Sequence, residues 1–326
     1  MPTTRRGSWR SSENSRDDQG YIRPMTTLGE AVADARARFS AAGFADAAIE
    51  ARILIGGLLE LSSTEVFVSG DREIDAASVA KIEDAVARRL KREPVHRILG
   101  KREFHGLDLL ISKETLEPRP DTEVLVDSIL DVARQFAGER DIRILDLGTG
   151  TGAIILALLD GLPPATGIGS DISVDALSTA AENAKRLGLE QRFQTVQSHW
   201  FDKIDGSFDI IVSNPPYIRS DVIPDLDPEV RDFDPMAALD GGSDGLTAYR
   251  EIASQAEAFL KADGCVGVEI GFDQRQAVTE LFEAAGFKLL LARQDYGDND
   301  RVLIFAKSVT DVAKQKKTLG IPKEAG

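Results

Sequence analysis

Residues 142–154 read IRILDLGTGTGAI: an apolar run from Ile142 to Leu147, three alternating glycines, and the first apolar residues of a new segment. The pattern predicts a β-strand that turns sharply into a helix. Glycine lacks a Cβ and adopts positive φ freely, so such a turn lets backbone approach a ligand closely at the positive end of the helix. Gly148, Thr149, Gly150, Thr151 and Gly152 are therefore candidates to hold a nucleotide-like cofactor. In folds of this kind an acidic residue about 20 positions on, at the end of the next strand, contacts a ribose. Asp171 stands there. Gly148-x-Gly150-x-x-Ala153 formally meets the dinucleotide fingerprint. NAD and S-adenosyl-L-methionine are both open at this point.

On either side of this turn the chain alternates short apolar runs with helical patterns. Strands are predicted near 142–147, 166–171, 193–196, 208–213, 266–270, 288–292 and 302–306, and helices near 121–137, 152–160, 173–187, 247–262 and 273–285. Strands separated by 10–15-residue helices imply right-handed βαβ units and a mostly parallel, doubly wound α/β sheet. Only a short loop, 294–301, joins the last two strands, so they are expected to pair antiparallel.

The fourth strand, FDIIVS, runs into Asn214-Pro215-Pro216-Tyr217. Ligands of open parallel sheets sit beyond the carboxyl ends of the strands at the switch point, so this tetrapeptide should face the cofactor turn. Two prolines fix φ and remove two N–H donors, leaving a rigid backbone whose carbonyls only accept hydrogen bonds. A planar NH₂ group offers two donors to such a site. The Asn214 side-chain oxygen and the Pro215 carbonyl are expected to hold both hydrogens, with the Tyr217 ring against the amide plane.

Upstream, the pattern is helical. Thr27-x-x-Glu30 reads as a capping box, with Leu28, Val32, Ala35 and Phe39 on one face before Gly43. A second helix is predicted over 46–60 with Ile49, Ile53 and Leu54 inward, then a short one carrying Val66, Phe67 and Val68. A long fourth helix carries Val79, Ile82, Val86 and Leu90 and ends in basic residues suited to its C-terminal dipole. The expected organisation is a tail over 1–25, a helical bundle over 26–94, a β-hairpin linker over 95–118 in which VHRIL also reads as β, the α/β domain over 119–307, and a second tail over 308–326. Met25, followed at once by the helix start, is an alternative start to Met1.

Composition narrows the classes further. At 42% hydrophobic and 29% charged residues, a 326-residue chain can bury a substantial core and is neither disordered nor collagen-like. No apolar run approaches the ~20 residues needed to span a bilayer, so no membrane association is expected. One cysteine, Cys265, and three histidines argue against a disulfide or a structural metal site and suit a reducing cytoplasm. A net charge of −15 removes the bulk attraction on which non-specific nucleic-acid binding relies.

Asp-x-Gly-x-Gly-x-Gly followed by Asn-Pro-Pro-Tyr resembles class I S-adenosyl-L-methionine-dependent methyltransferases acting on planar amide or amine nitrogens. Glu93-Pro94-Val95, Arg102-Glu103-Phe104, Arg119-Pro120-Asp121-Thr122-Glu123, Ser198-His199-Trp200-Phe201 and Asp295-Tyr296-Gly297-Asp298-Asn299 with Arg301 resemble the HemK/PrmC family over roughly residues 27–307. The resemblance implies methyl transfer to the side-chain amide of the glutamine in the Gly-Gly-Gln loop of class 1 peptide chain release factors. It further implies that Gly148 to Gly152 cradle the methionine part of the cofactor, that Asp171 binds its ribose and that Trp200 lies near the adenine. It places Asn214, Pro215, Pro216 and Tyr217 around the glutamine, with Phe104 as a wall of that pocket. Where the family commonly has Asp before the tryptophan, this chain has His199. The other readings are a ribosomal-protein glutamine methyltransferase, a DNA or RNA adenine methyltransferase and an NAD-dependent oxidoreductase, the last of which leaves Asn-Pro-Pro-Tyr unexplained.

Overall fold

The computed structural model describes residues 27–137 and 141–307, in two compact units that meet in sequence between Leu90 and Lys91. Both tails and the choice between Met1 and Met25 lie outside the described residues.

The first unit holds four helices, α1 (Leu28–Ala41), α2 (Ala47–Leu58), α3 (Ser63–Val68) and α4 (Ala76–Leu90). Capping boxes start α1 and α3: Thr27 Oγ1 accepts from Glu30 N while Glu30 returns to Thr27 N, and Ser62 and Glu65 do the same. Each satisfies two N–H groups that a bare helix start would leave open. Leu28, Phe39, Leu54, Ile55, Ile82 and Val86 form the buried interior. The inward face of α2 differs from the expectation: Leu54 is buried, but Ile49 and Ile53 are 52% and 37% exposed. Ala47, Ala51, Leu54 and Ile55 carry the packing instead, because the stripe is centred one position over from the bulky residues. Arg89 also turns inward. Its guanidinium is fully buried, bonds Glu50 through two 2.8 Å contacts and lies 3.9 Å from the centre of the Phe44 ring. Bidentate pairing and the aromatic face compensate for its desolvation.

In the second unit VHRIL is a helical turn, α5 (Val95–Leu99), and not a strand. So short an apolar run fits either period, and the outcome is set by Pro94 at its start and Gly100 in the left-handed conformation at its end. The strands β1 (Lys101–Phe104) and β2 (Leu107–Leu110) form an antiparallel hairpin closed by His105-Gly106. Both turn residues have positive φ, as the tightest hairpin turns require.

The remaining elements are α6 (Glu123–Ala137), β3 (Arg143–Leu147), α7 (Ala153–Gly161), β4 (Thr166–Asp171), α8 (Val174–Arg186), β5 (Phe193–Gln197), β6 (Phe208–Ser213), the short α9 (Pro228–Arg231) and α10 (Met236–Leu239), α11 (Thr247–Phe259), β7 (Leu260–Glu269), α12 (Arg275–Ala284), β8 (Lys288–Gln294) and β9 (Asp300–Ala306). The seven strands lie in the order β5-β4-β3-β6-β7-β9-β8, with β9 antiparallel to both neighbours and the other pairings parallel. Side chains alternate between two cores, as the pleat demands. Ile144, Ile210 and Val212 join Leu125, Ile129 and Ile155 on one side. Leu145, Leu147 and Ile211 join Tyr249, Phe282 and Phe305 on the other. After β3 the chain moves outward through β4 and β5 and then returns to β6 on the other flank of β3. That reversal opens the crevice where ligands of such sheets sit. No helix among the described residues is long and apolar enough to cross a membrane.

Candidate active site

A cavity of about 570 Å³ opens at the carboxyl ends of β3, β4 and β6. Its wall includes Gly148, Thr149, Gly150, Thr151, Asp171 and Asn214. The glycine turn is fixed from behind: Gly148 N and Thr149 N donate to Ser170 O at 2.8 and 2.9 Å. Asn183 of α8 donates to Thr151 O and pairs with the backbone of Leu110. Gly150 has φ +54, a conformation that strains other residues, and nothing lies within 4 Å of a would-be Cβ, so its face stays open. Gly152 differs. A Cβ there would meet the side chains of Leu156 and Ala180 at 3.0 and 3.3 Å, so this glycine serves close packing of α7 on α8.

Two carboxylates flank the turn. Asp171 accepts from Gly150 N and Ser173 N, each at 2.9 Å, which uses two of the roughly four lone-pair directions of a carboxylate. Asp146, one residue before the end of β3, is fully buried. Its Oδ2 accepts from Thr149 Oγ1 at 2.7 Å, and its Oδ1 has no hydrogen-bond partner. Burial pushes the Asp146 carboxyl up to about 7, an effect to which the neighbouring Asp171 adds and which the Thr149 hydroxyl opposes. A buried, half-satisfied carboxylate beside a ligand cavity is suited to a cation.

Past β5, Ser198 N donates to Asp171 O, and Trp200 adopts φ +44. Trp200 and its neighbour His199 both line the cavity, their ring centres 6.0 Å apart.

The Asn-Pro-Pro-Tyr turn leaves β6 on the other side. Ser213 Oγ ties its start to Leu147 O at 2.7 Å. Asn214 and Pro216 line the cavity, whereas Pro215 is buried behind them. Tyr217 is not on the cavity wall either: it packs beside the second core and donates from its hydroxyl to Glu269 Oε1 at 3.3 Å. Burial and that carboxylate raise the Tyr217 pKa. Phe104 is likewise absent from the wall; the alternation of the hairpin sends it into the first core, where it is 1% exposed. Neither ring lines the cavity: Tyr217 is held by packing and a hydrogen bond, and Phe104 by packing.

The residues that hold the turn were not evident from the sequence. Gln274 Nε2 donates to Tyr217 O at 3.0 Å and to Gly245 O at 3.2 Å, while Gln274 Oε1 accepts from Gly271 N. Gly241 and Gly245 pass so close that a Cβ would fall 2.8 Å from Tyr217 Cα and 2.5 Å from Tyr217 O. The glycine cluster of DGGSDG, 240–245, was the available signal for a close backbone approach. Asp234 is buried between Arg97 and Arg119, at 2.6 and 2.7 Å, and so ties the segment between β6 and α11 to the residues before α6. The dispersed motifs also converge: Thr122 Oγ1 accepts from Asn214 Nδ2 at 3.2 Å, Glu123 accepts from His105 N at 2.8 Å, and Arg301 bonds Asp295 at 2.9 Å while lying 3.8 Å from Asp121.

The Asp171 carboxylate and the uncovered glycine backbone on the cavity wall, with the orphaned Asp146 oxygen buried behind them, suit a cofactor that has a ribose, a carboxylate and an ammonium group. S-adenosyl-L-methionine has all three. Residues 139–286 match the methyltransferase domain family, and the hMettl16 catalytic domain, solved in complex with a 3′UTR hairpin, shares the fold at a TM-score of 0.51 and 15% identity, covering 74% of this chain and 86% of that one. The fold and site are therefore those of a class I S-adenosyl-L-methionine-dependent methyltransferase, which decides between the two cofactors that the glycine turn left open.

Residues 30–100 match the PrmC N-terminal domain. A release factor glutamine methyltransferase of Agrobacterium fabrum is 58% identical, covering 86% of this chain and 98% of its own, and one of Caulobacter vibrioides is 42% identical over 86% and 97%. The chain belongs to the release factor glutamine methyltransferase family.

Proposed function

We propose that this chain transfers a methyl group from S-adenosyl-L-methionine to the side-chain amide nitrogen of the glutamine in the Gly-Gly-Gln loop of class 1 peptide chain release factors. The observation that carries the reading is the orientation of Asn214: its Nδ2 is committed to Thr122, so its Oδ1 is left to accept from an NH₂ group in the cavity shared with the glycine turn.

In this reading Gly148 to Gly152 and Asp146 hold the methionine end of the cofactor, Asp171 the ribose hydroxyls, and Trp200 the adenine side. Bound there, S-adenosyl-L-methionine supplies an electrophilic methyl group on a positively charged sulfur. Asn214 Oδ1 and the Pro215 carbonyl accept the two amide hydrogens and aim the nitrogen. Pro215 and Pro216 keep that backbone rigid, and Tyr217 anchors its end through Glu269. Fixed orientation of two reactants lowers a barrier by about 7–11 kcal/mol, so no strong base is required, and the proton lost by the nitrogen passes to water. The helical residues 26–94 contact the body of the release factor, the hairpin segment 95–118 connects them to the catalytic domain 119–307, and the net charge of −15 disfavours a nucleic-acid substrate. A reducing cytoplasm suits the single thiol, Cys265, which burial pushes up to about 12 and so keeps unreactive.

The test is transfer from labelled S-adenosyl-L-methionine to purified release factor and to its Gly-Gly-Gln→Gly-Gly-Ala variant, with mass spectrometry of the loop peptide. One methyl group on the glutamine of the first and none on the second is the expected result. Methylation of ribosomal proteins or nucleic acid, with none of release factor, overturns the substrate assignment.

A further inference from the structure

Arg119 stands between two prolines, Pro118 and Pro120, in the segment that leads from the hairpin to α6. A residue before proline is pushed out of the helical region, and Arg119 is extended, with φ −102 and ψ 144. Its side chain is anchored by Asp234, whose Oδ2 accepts from Arg119 Nη2 at 2.7 Å. The other oxygen of Asp234 accepts from Arg97 at 2.6 Å, and Arg97 also donates to Ser112 O and Thr115 O. Arg97 and Asp234 keep only 7% and 1% of their side chains exposed, whereas Arg119 keeps 41%. One carboxylate shared by two guanidinium groups leaves one positive charge over, and Arg119 carries it to the cavity wall. Its Nε and Nη1 hydrogen-bond to no described residue.

The charges around it are of the other sign. Glu114, Asp171, Asp240 and Glu251 also line the cavity, and Arg119 is the one lysine or arginine on that wall among the described residues. A cofactor carboxylate entering such a wall is repelled unless a cation receives it. The glycine turn has little to offer it: Gly148 N, Thr149 N, Gly150 N and Gly152 N all donate within the protein, which leaves Thr151 N and the first turn of α7. A guanidinium presents parallel N–H groups that match a carboxylate, and fixing it beforehand lowers what binding must order. The neutral side chain of a substrate glutamine brings no anion and makes no comparable demand.

We propose that Arg119 is a cofactor-binding residue that receives the carboxylate of the methionine end of S-adenosyl-L-methionine, with Asp234 as the residue that positions it. This deepens the proposed function and rests on its placement of the cofactor at the glycine turn, where Asp146 takes the ammonium group. Arg119 makes the cavity selective for ligands that keep the carboxylate. Asp234 acts only through Arg119.

Titration calorimetry on the full-length chain compares S-adenosyl-L-methionine with its decarboxylated form, which keeps the adenosine, the sulfonium and the amine. The wild type should bind the decarboxylated form roughly tenfold more weakly or worse, the scale of one charge-assisted contact. Arg119→Gln should raise the dissociation constant for S-adenosyl-L-methionine by roughly tenfold or more and leave that for the decarboxylated form within about twofold. Arg119→Lys keeps the charge and loses the fork, and should recover part of the affinity. A wild type that binds the two ligands alike overturns the proposal, as does an Arg119→Gln affinity for S-adenosyl-L-methionine within about threefold of wild type. Equal loss for both ligands also overturns it, because disturbed packing around Asp234 does not distinguish them. A raised KM for release factor with cofactor affinity unchanged overturns it in favour of a substrate contact. The titrations contain no release factor, so a chain that leaves release factor unmethylated overturns the substrate assignment alone.

Discussion

Replacing Asp146 with asparagine should stabilise the free protein and weaken its hold on S-adenosyl-L-methionine, two effects of opposite sign from one atom. The carboxyl is fully buried and stands near 7 against an ordinary value of 3.8. The rise from 3.8 to about 7, at about 1.36 kcal/mol per pH unit, puts the cost of keeping it ionised in the fold on the order of a few kcal/mol above pH 7. The substituted amide would carry no charge but would leave a buried NH₂ without a partner, at about 1–3 kcal/mol. The net gain is about 1–3 kcal/mol, a rise in Tm of roughly 2–12 °C for a unit of this size. The sign with pH follows from the direction of the shift. A carboxyl whose folded pKa is raised favours the fold below its unfolded value and loses that contribution as pH rises through about 7. The advantage of Asp146→Asn is therefore largest at pH 8 and narrows on acidification toward pH 4. Binding goes the other way. Under the proposed cofactor assignment, a charge-assisted bond from Asp146 to the ammonium group is worth about 1.5–3 kcal/mol, so the dissociation constant should rise roughly 10–150-fold. Thermal melts at pH 8 and pH 5 and titration calorimetry with the cofactor give both numbers. A lower Tm at pH 8, or an affinity within threefold of wild type, refutes the reasoning.

Asp171→Ala removes a carboxylate with two lone-pair directions left after Gly150 N and Ser173 N are satisfied, so cofactor affinity should fall about 100-fold by calorimetry, as expected for two charge-assisted bonds partly replaced by water. Unchanged affinity removes the ribose assignment. Asn214→Ala should lower kcat on release factor by roughly 100-fold or more, the scale of lost orientation, with cofactor affinity intact. Equal loss of both would move Asn214 to the cofactor. Arg89→Ala should destabilise the helical unit by about 3 kcal/mol, the low end for breaking a buried ion pair because Glu50 keeps 23% exposure. Hydrogen exchange in α2 and α4 reads this directly, and unchanged protection would mean that the pair contributes nothing.

The parallel sheet was legible because each strand is a short apolar run closed by a turn residue, a signal local to six or seven positions. Seven strands and the Gly148-to-Gly152 turn follow from it. VHRIL was not legible, since five residues satisfy both periods and Pro94 and Gly100 decide the matter. Ile49 and Ile53 misled for a different reason: bulky apolar residues on α2 lie beside the stripe that alanines carry inward. The glycine-turn side of the cavity was readable, because its residues sit in contiguous turns with fixed backbone demands. The opposite side was readable only at Asn214 and its prolines. Thr122, Glu269 and Gln274 reach that turn from three other segments, and hydrogen bonds over 92, 52 and 57 positions leave no periodic trace. One cue did exist. An acidic residue at Glu269 amid Val266, Gly267, Val268 and Ile270 contradicts a buried strand unless something nearby requires its charge.

That contradiction has a common form across the catalytic unit. Among the described residues the buried side-chain polar atoms without a hydrogen-bond partner are Asp146 Oδ1, Glu269 Oε2 and Arg97 Nε. Each belongs to a group at or bracing the cavity: Asp146 behind the glycine turn, Glu269 on the hydroxyl of Tyr217, and Arg97 on the Asp234 link to Arg119. Elsewhere the fold satisfies its buried polar atoms, as Asn183 does with three hydrogen bonds. A buried acceptor left half-satisfied lowers stability, and it persists where a ligand completes it or where its state sets a neighbour's orientation. Asp146 fits the first case: its open oxygen lies behind the glycine turn, and Asp146→Asn tests whether a ligand completes it.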